Sequence, residues 1–219
     1  MANKFYIEPD AHVLVAGATG TGKSFLAEEY LRGYTNVIKL DTKLEVDERL
    51  NAGLSPWRGL EEGKDFVVCR YLSDVQNAHT KKIIYAPDFE EQTEEFYSDF
   101  FEWVYMRQNT IIWIDELMSI GTVHRYPKGL HKVMIMGRSK GVGVWSCTQR
   151  PSGIPTIVPS NCKYFFCFNL YNPDDRKKMV STTGFPELMA LPKGHNFWFC
   201  KMGDDKPVLA YLDKEKGVI

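Results

Sequence analysis

Residues 13–31 read VLVAGATGTGKSFLAEEYL, and this stretch decides the fold. A short apolar run enters a glycine-rich turn, and the turn leads into a helical pattern. The turn, residues 17–24, is a full match to G-x-x-x-x-G-K-[ST] in the strand–loop–helix context that this motif needs. Glycines let successive backbone N–H groups point at a phosphate, and a helix N-terminus adds partial positive charge. The stretch therefore predicts a phosphate-binding loop, whereas the alternative is a glycine-rich turn that binds nothing.

Two side chains of this loop carry specific chemistry. Lys23 is expected to reach the β- and γ-phosphates of a nucleotide, and the Ser24 hydroxyl is expected to help hold Mg²⁺. The residues predicted to bind ATP are the loop and the residue after it: Gly17, Ala18, Thr19, Gly20, Thr21, Gly22, Lys23, Ser24 and Phe25.

The composition is that of an ordinary globular protein. The 219 residues, 44% of them hydrophobic, suit a single α/β domain, and the net charge of −1 excludes a strongly basic protein that coats nucleic acid alone. We expect no signal peptide and no transmembrane segment, and hence a cytoplasmic location. The five cysteines lack C-x-x-C or zinc spacing, which favours reduced thiols. The five histidines show no metal-ligand spacing, so Mg²⁺ is the one metal expected.

Apolar runs alternate with helical patterns along the chain. This alternation predicts a mainly parallel central sheet with helices on both faces, with ligands at the carboxyl ends of the strands. Predicted strands cover residues 12–16, 36–40, 66–69, 83–85, 110–114, 142–147 and 164–168, and a C-terminal β-hairpin pairs residues 195–201 with 207–212. Predicted helices cover residues 22–32, a segment from residue 88, 130–140 and 173–180, and residues 213–219 are expected to be loose.

Three local signals refine the helices. Gly33 is expected to close the first helix as its C′ cap. Asp88 and Glu91 have capping-box spacing, which predicts that the next helix begins at residue 88. A stripe on that helix should pack in the core: Phe89, Phe96, Phe100, Trp103, Val104 and Arg107.

Polar residues follow several predicted strands. Asp115, after four apolar residues, matches a Walker B pattern and is expected to support Mg²⁺. Glu116 can orient and deprotonate a water molecule, which favours hydrolysis over phosphoryl transfer to another substrate. Gln149 can contact the γ-phosphate, and Asp41 lies at a similar strand end. The alternative for Asp115 and Glu116 is an ordinary acidic pair at the end of a strand.

Arg138 lies between a predicted helix and the strand that ends near Gln149. It could cap the helix C-terminus, or it could project into a neighbouring subunit and stabilise charge in the transition state. The residues alone do not separate these two roles.

The segment GRSKGVGVWSCTQRP, residues 137–151, resembles the arginine-to-TQRP segment of the FtsK–HerA superfamily of ring-forming, DNA-pumping ATPases. Asp41-Thr42-Lys43 is similar to that family's D-P-K, with Thr42 where proline is usual. The likeness covers roughly residues 12–168, and the short chain is similar to the viral genome-packaging branch.

The resemblance implies a RecA-like (ASCE) P-loop NTPase in a single domain, residues 1–219, with a core of about 12–168 and an extension of 169–219. It implies an ATPase that uses Mg²⁺ and translocates double-stranded DNA, as a ring of five or six copies that docks on a capsid portal or membrane protein, in the host cytoplasm or the virion. Glu116 would be the catalytic base, Gln149 the γ-phosphate sensor and Arg138 a finger supplied to a neighbour. Arg150 and Arg176 are rival fingers.

The DNA contacts are harder to predict. The loop after Asp115 carries basic residues that could grip phosphates without reading bases, or could simply be solvated: His124, Arg125, Lys128, His131 and Lys132. Other functions also stay open. They are a motor for secretion, pilus or filamentous-phage assembly, a small P-loop kinase, and a nucleotide switch, although the N-K-x-D of GTPases does not occur.

Overall fold

Seven parallel strands form the centre of the sheet, in the order β3-β4-β2-β5-β6-β1-β7. The structure is a computed structural model, and it describes residues 5–213 and 217–218. The parallel strands are β1 Val13–Ala16, β2 Val37–Leu40, β3 Val67–Cys69, β4 Lys82–Tyr85, β5 Ile111–Ile114, β6 Gly143–Thr148 and β7 Tyr164–Cys167. Three antiparallel strands extend the β7 side: β8 Asn196–Lys201, β9 Val208–Asp213 and β10 Gly217–Val218.

Helices cover both faces of this sheet. They are α1 Lys23–Leu31, α2 Glu45–Asn51, α3 Leu72–Asn77, α4 Glu94–Arg107, α5 Lys128–Met136, α6 Ile157–Asn161 and α7 Pro173–Thr183. Residues of β1 alternate between two cores: Leu14 and Ala16 pack with α4 and α5, whereas Val13 and Val15 pack with α1. Because both faces are buried, the central strands are mostly apolar, with Lys39, Ser146 and Thr148 as buried polar exceptions. The mainly parallel sheet and the C-terminal hairpin are therefore confirmed.

The predicted start of the second long helix is wrong. The long helix α4 begins at Glu94, where Thr93 accepts a hydrogen bond from the Phe96 backbone, and Phe89–Glu91 is a separate 3₁₀ turn. The Glu91 carboxylate accepts hydrogen bonds from the Leu72 N–H and the Tyr85 hydroxyl, so it holds two other segments and makes no capping box. The first helix ends where it was expected: α1 ends at Leu31, Arg32 is its C-cap with φ −54°, and Gly33 follows at the C′ position, with a backbone that is not left-handed.

The aromatic stripe is partly confirmed. Phe100 and Val104 are fully buried, and Phe96 and Trp103 pack against the same core. Phe89 lies outside the helix and is 89% exposed. Arg107 lies against the Trp103 ring instead of entering the core.

Other elements differ more modestly from the sequence predictions. Helix α3 was not predicted, since its six residues are too few for a clear period. Helix α5 starts at Lys128 and gives way to a 3₁₀ turn at Gly137–Lys140. Of the segment expected to be loose, Gly217–Val218 pairs with β9, and residues 214–216 and 219 lie outside the described residues.

All five cysteines are buried free thiols. Within the described ranges, every helix is too short or too polar to cross a bilayer.

Helices α4 and α5 cross closely at Gly129. A Cβ atom at this position would lie 2.2 Å from the Ser98 carbonyl oxygen, and the Gly129 N–H donates to Ser98 Oγ at 2.9 Å. Helix α5 follows the loop after Asp115, so this crossing fixes one end of that loop.

We predict that Gly129→Ala lowers the free energy of unfolding by about 1–3 kcal/mol, because the methyl group forces the two helices apart. The measurement is urea unfolding of the whole chain. Gly33→Ala is the matched control: its nearest neighbour would be the Tyr30 carbonyl oxygen at 3.4 Å, and a change within about 0.5 kcal/mol is expected. Equal stability of the two variants would contradict the close crossing.

Candidate active site

The carboxyl ends of four neighbouring parallel strands meet at one edge of the sheet. The loop after β1 lies beside the end of β6, which pairs with β5, which in turn pairs with β2. These four ends carry the glycine-rich loop, Gln149, the Asp115-Glu116 pair and the 41–43 segment. The topology therefore brings together the predicted site residues at strand ends.

The glycine-rich loop curls around its own backbone. Lys23 Nζ donates to the Ala18 carbonyl oxygen at 3.0 Å, and Thr21 Oγ1 donates to the same oxygen at 2.8 Å. Gly22, at φ 110°, adopts a backbone conformation that side chains disfavour, and a Cβ atom at Gly17 would lie 2.6 Å from Phe168 Cβ. Only glycine fits at these two positions, so the loop is built as a tight cradle.

Lys23 is poised inside this cradle. The residue is only 7% exposed. Burial lowers the pKa of its amine below the ordinary value, although nearby Glu116 and Asp115 act in the opposite direction. A buried ammonium whose main hydrogen-bond partner is a single backbone carbonyl can transfer to a phosphate oxygen with little cost.

Ser24 and Asp115 join the loop to the end of β5. Ser24 Oγ donates to Asp115 Oδ1 at 3.2 Å, and Asp115 is 1% exposed. The second carboxylate oxygen, Oδ2, is buried and has no hydrogen-bond partner among the described residues. A hydroxyl and a carboxylate are oxygen ligands of the kind that Mg²⁺ prefers, so the donor set fits the predicted metal. In the described part of the chain no group of three His, Cys, Asp or Glu could hold a metal by itself, so phosphate and water would complete its ligand shell.

Glu116 follows Asp115 directly after β5. Its Oε2 atom is buried and lacks a hydrogen-bond partner in residues 5–213 and 217–218, while Oε1 accepts weakly from the Met118 N–H at 3.5 Å. The residue is 7% exposed, so the carboxylate is shielded from bulk water. This placement suits a general base.

Lys43 compensates both carboxylates. Its Nζ lies 3.8 Å from Asp115 Oδ2 and 3.6 Å from Glu116 Oε2. Burial acts to lower the pKa of this amine, but Asp115 and Glu116 outweigh it and the pKa is raised above its ordinary value. The sequence analysis gave Lys43 no role. Its neighbour Asp41, expected near the ligand, instead caps α2 by accepting from the Glu45 and Val46 N–H groups.

Gln149 contacts the glycine-rich loop directly. The Thr19 hydroxyl donates to Gln149 Oε1 at 2.7 Å, across 130 residues of chain. Since Oε1 is engaged, the amide NH₂ is the end left to donate to a ligand.

Arg138 lies at the opposite edge of the sheet. It precedes β6, so it sits at the amino ends of the strands, 4.0 Å from Asp10 ahead of β1 and 57% exposed. It is therefore remote from the loop of its own chain.

The rival arginines are bound within the chain. Arg150 Nε donates to the buried Asp175 at 2.9 Å, next to the loop, and Arg176 donates to the carbonyl oxygens of Leu170 and Tyr171.

The candidate DNA residues face an acidic helix. Arg125 pairs with Glu94, and Lys132 pairs with Glu102 at 3.5 Å while lying over the Tyr105 ring. Lys128, as far as the structure describes the chain, makes no ion pair.

Two residues beside the loop were missed by the sequence analysis. His195 Nδ1 lies 3.0 Å from the Thr21 carbonyl oxygen, and the Arg58 guanidinium lies over the Phe25 ring. Arg58 belongs to a polar segment that resembled an ordinary loop. The adjacent Trp57, a large apolar residue, was the one signal that this segment packs against the core.

Comparisons with known proteins fit this geometry. Protein P9 of Pseudoalteromonas phage PM2 is 24% identical over 205 residues, covering 89% of this chain and 87% of P9. The genome packaging NTPase B204 of Sulfolobus turreted icosahedral virus 2, solved with sulfate, matches with a TM-score of 0.73 at 16% identity, over 93% of this chain and 96% of B204. The chain has the fold of a P-loop NTPase.

The resemblance to packaging ATPases inferred from the sequence is confirmed at the level of the fold. B204 with ATPγS also matches this P-loop NTPase fold, with a TM-score of 0.71. The pCW3 conjugation coupling protein TcpA, in a monomer form with ATPγS, matches with a TM-score of 0.58 at 17% identity, over 95% of this chain and 62% of TcpA. No protein-family model matches the chain.

We predict that Lys43→Met lowers the free energy of unfolding by about 1–3 kcal/mol in the absence of nucleotide, because two buried carboxylates lose their compensating cation. The measurement is urea unfolding near pH 7.5, where the raised pKa keeps Lys43 charged. Lys64→Met is the matched control, since the Lys64–Glu61 pair is more than 70% exposed on both sides and is expected to contribute less than about 0.5 kcal/mol. Lys43→Met unfolding no more easily than Lys64→Met would show that the carboxylates do not depend on Lys43.

Proposed function

We propose that this protein is an ATP-hydrolysing motor that translocates double-stranded DNA and packages a viral genome. The observation that carries the proposal is the contact between Ser24 of the glycine-rich loop and Asp115, the residue before Glu116, because it supports a hydrolytic site at that loop. The names of its matches support the cargo, because B204 is described as a genome packaging NTPase and as a DNA-packaging ATPase.

The loop supplies the binding energy for the phosphates. Its backbone N–H groups and the N-terminus of α1 face the anion, and Lys23 exchanges the Ala18 carbonyl for a phosphate oxygen. Mg²⁺, held by Ser24 and Asp115, would neutralise charge that develops on the phosphates. Binding of this kind is shared by many P-loop proteins and does not by itself make a motor.

Glu116 provides the hydrolytic step. In the proposed reaction Glu116 accepts a proton from the attacking water, and Lys43 keeps the carboxylate in place at 3.6 Å. Gln149 donates its amide to the γ-phosphate while Thr19 holds the other end of that amide. Loss of the γ-phosphate would free Gln149 and the loop after Asp115, which links hydrolysis to movement.

A neighbouring copy completes the site. Arg138 is exposed and remote from its own loop, so as a finger it would act on the nucleotide of another subunit. An arginine placed in this way stabilises transition-state charge and requires a ring or a similar head-to-tail assembly. The contact residues for DNA stay a proposal, with Lys128 favoured over Arg125 and Lys132 because those two side chains already pair with carboxylates.

We predict that Glu116→Gln retains ATP binding but lowers hydrolysis at least about 100-fold, because the amide cannot accept the proton of water. Phosphate release is measured with and without linear duplex DNA, over a range of protein concentrations. The wild type should be stimulated by DNA and should rise more than linearly with concentration. Glu90→Gln, an exposed acid on a 3₁₀ turn, is the control and should match the wild type.

Two outcomes of this assay would contradict the proposal. Hydrolysis by Glu116→Gln at the wild-type rate would remove Glu116 as the base. Hydrolysis that duplex DNA leaves unchanged would favour a motor with a protein cargo.

We predict that Lys23→Ala and Arg138→Ala, each inactive alone, regain ATPase activity when mixed. The Arg138→Ala copy keeps an intact binding loop, and its Lys23→Ala neighbour supplies the arginine. Phosphate release by the mixture is compared with the sum of the two single variants. As the control, Arg150→Ala replaces Arg138→Ala in the same mixing assay. If ATPase activity is regained in the mixture with Arg150→Ala but not in the mixture with Arg138→Ala, Arg150 is the finger.

A further inference from the structure

A cavity of about 320 Å³ opens beside the glycine-rich loop, on the side of Ser24 and Phe25. Its walls are Gly20, Gly22, Lys23, Ser24, Phe25, Arg58 and His195. Nothing in the phosphate chemistry above uses the last two residues. Four of these walls belong to the glycine-rich loop itself, so a ligand whose phosphates the loop holds can extend toward Arg58 and His195.

Arg58 forms one wall as a flat, stacked cation. Its guanidinium carbon lies 4.2 Å from the centre of the Phe25 ring, and the side chain is 46% exposed. One face of the planar group is therefore covered by an aromatic ring while the group still borders the cavity. Guanidinium planes stack on nucleobases as well as on aromatic side chains.

Buried anchors hold Arg58 in this position. The Glu28 carboxylate, only 3% exposed, accepts a hydrogen bond from the Arg58 backbone N–H at 2.5 Å and approaches Arg58 Nε at 3.8 Å. Trp57 is fully buried and packs edge-on against Trp113, with ring centres 5.7 Å apart. Because Glu28 lies on α1, directly after the loop, Arg58 is fixed relative to the phosphate site.

His195 forms the facing wall. Its Nδ1 lies 3.0 Å from the Thr21 carbonyl oxygen, which can only accept, so Nδ1 carries a proton, and in the tautomer that this contact selects Nε2 is an acceptor. Such an acceptor suits the amino group of a base. The contact also ties the loop to the segment just before β8.

We propose that the side of this cavity formed by Arg58 and His195 binds the base of the nucleotide, with the base stacked on the exposed face of the Arg58 guanidinium. The inference rests on the proposed function in one respect, that the loop binds a nucleoside triphosphate. It names the part of the site that holds the nucleoside, whereas the loop holds the phosphates.

The chain offers a matched pair of arginines to test this. Arg49 Nη1 donates to the same Glu28 carboxylate at 2.8 Å, but Arg49 neither borders the cavity nor lies on Phe25. Arg49→Ala therefore removes one cationic partner of Glu28. Arg58→Ala also removes a cationic partner of Glu28 and, in addition, removes the stacking surface. Arg58→Lys keeps the charge without the plane.

The experiment is calorimetric titration of the full chain with Mg-ATP and with Mg-tripolyphosphate, which has the phosphates and no base. Base stacking contributes about 1–3 kcal/mol, so Arg58→Ala is expected to weaken ATP binding about 5- to 150-fold and to leave tripolyphosphate binding within about twofold. Arg58→Lys should lie between Arg58→Ala and the wild type. Arg49→Ala should match the wild type for both ligands.

Three results would overturn the inference. They are an equal loss of ATP and tripolyphosphate affinity in Arg58→Ala, an equal loss of ATP affinity in Arg49→Ala, and no loss at all in Arg58→Ala. The titration needs no turnover. If the variants bind ATP in the expected pattern but the wild type does not hydrolyse it, this inference stands and the proposed motor function fails. If the wild type hydrolyses ATP but Arg58→Ala binds it with unchanged affinity, the motor function stands and this inference fails.

Discussion

Burial of two adjacent carboxylates at the end of an apolar strand is the constraint on which this site depends. Asp115 and Glu116 follow the fully buried strand β5, and one oxygen of each has no hydrogen-bond partner in the described residues. A buried charge costs several kcal/mol unless it is compensated. The Ser24 hydroxyl and the Lys43 ammonium compensate only part of this negative charge. The uncompensated part favours the binding of a cation together with a ligand.

The same constraint explains which residues gather at this edge. Ser24 comes from the loop after β1 and Lys43 from the segment after β2, and β1 and β2 flank the β6–β5 pair. A parallel sheet brings these strand ends to one edge whatever the loops contain. The convergence could therefore be predicted from the sequence as soon as the apolar runs were recognised as parallel strands.

What the sequence did not reveal lies in side-chain directions and in long-range contacts. Asp41 and Lys43 are two residues apart, yet the aspartate turns back onto α2 while the lysine reaches the site. Glu91 has the spacing of a capping box, but its carboxylate accepts hydrogen bonds from the Tyr85 hydroxyl and the distant Leu72 N–H instead. Arg58 and His195 border the loop only through tertiary packing, which no local pattern encodes.

The two edges of the sheet also differ in a way that bears on assembly. The buried acids and the glycine-rich loop lie at the carboxyl edge. Arg138 lies at the amino edge, where the Asp10 carboxylate is 4.0 Å away. If Arg138 is the finger proposed above, it must act on the nucleotide of another copy, because it lies at the edge of the sheet opposite its own loop. A head-to-tail assembly would allow this, because the amino edge of one copy can then meet the carboxyl edge of the next. Closure of that pattern into a ring would make each site depend on two chains, so that hydrolysis is coupled to the contact between subunits.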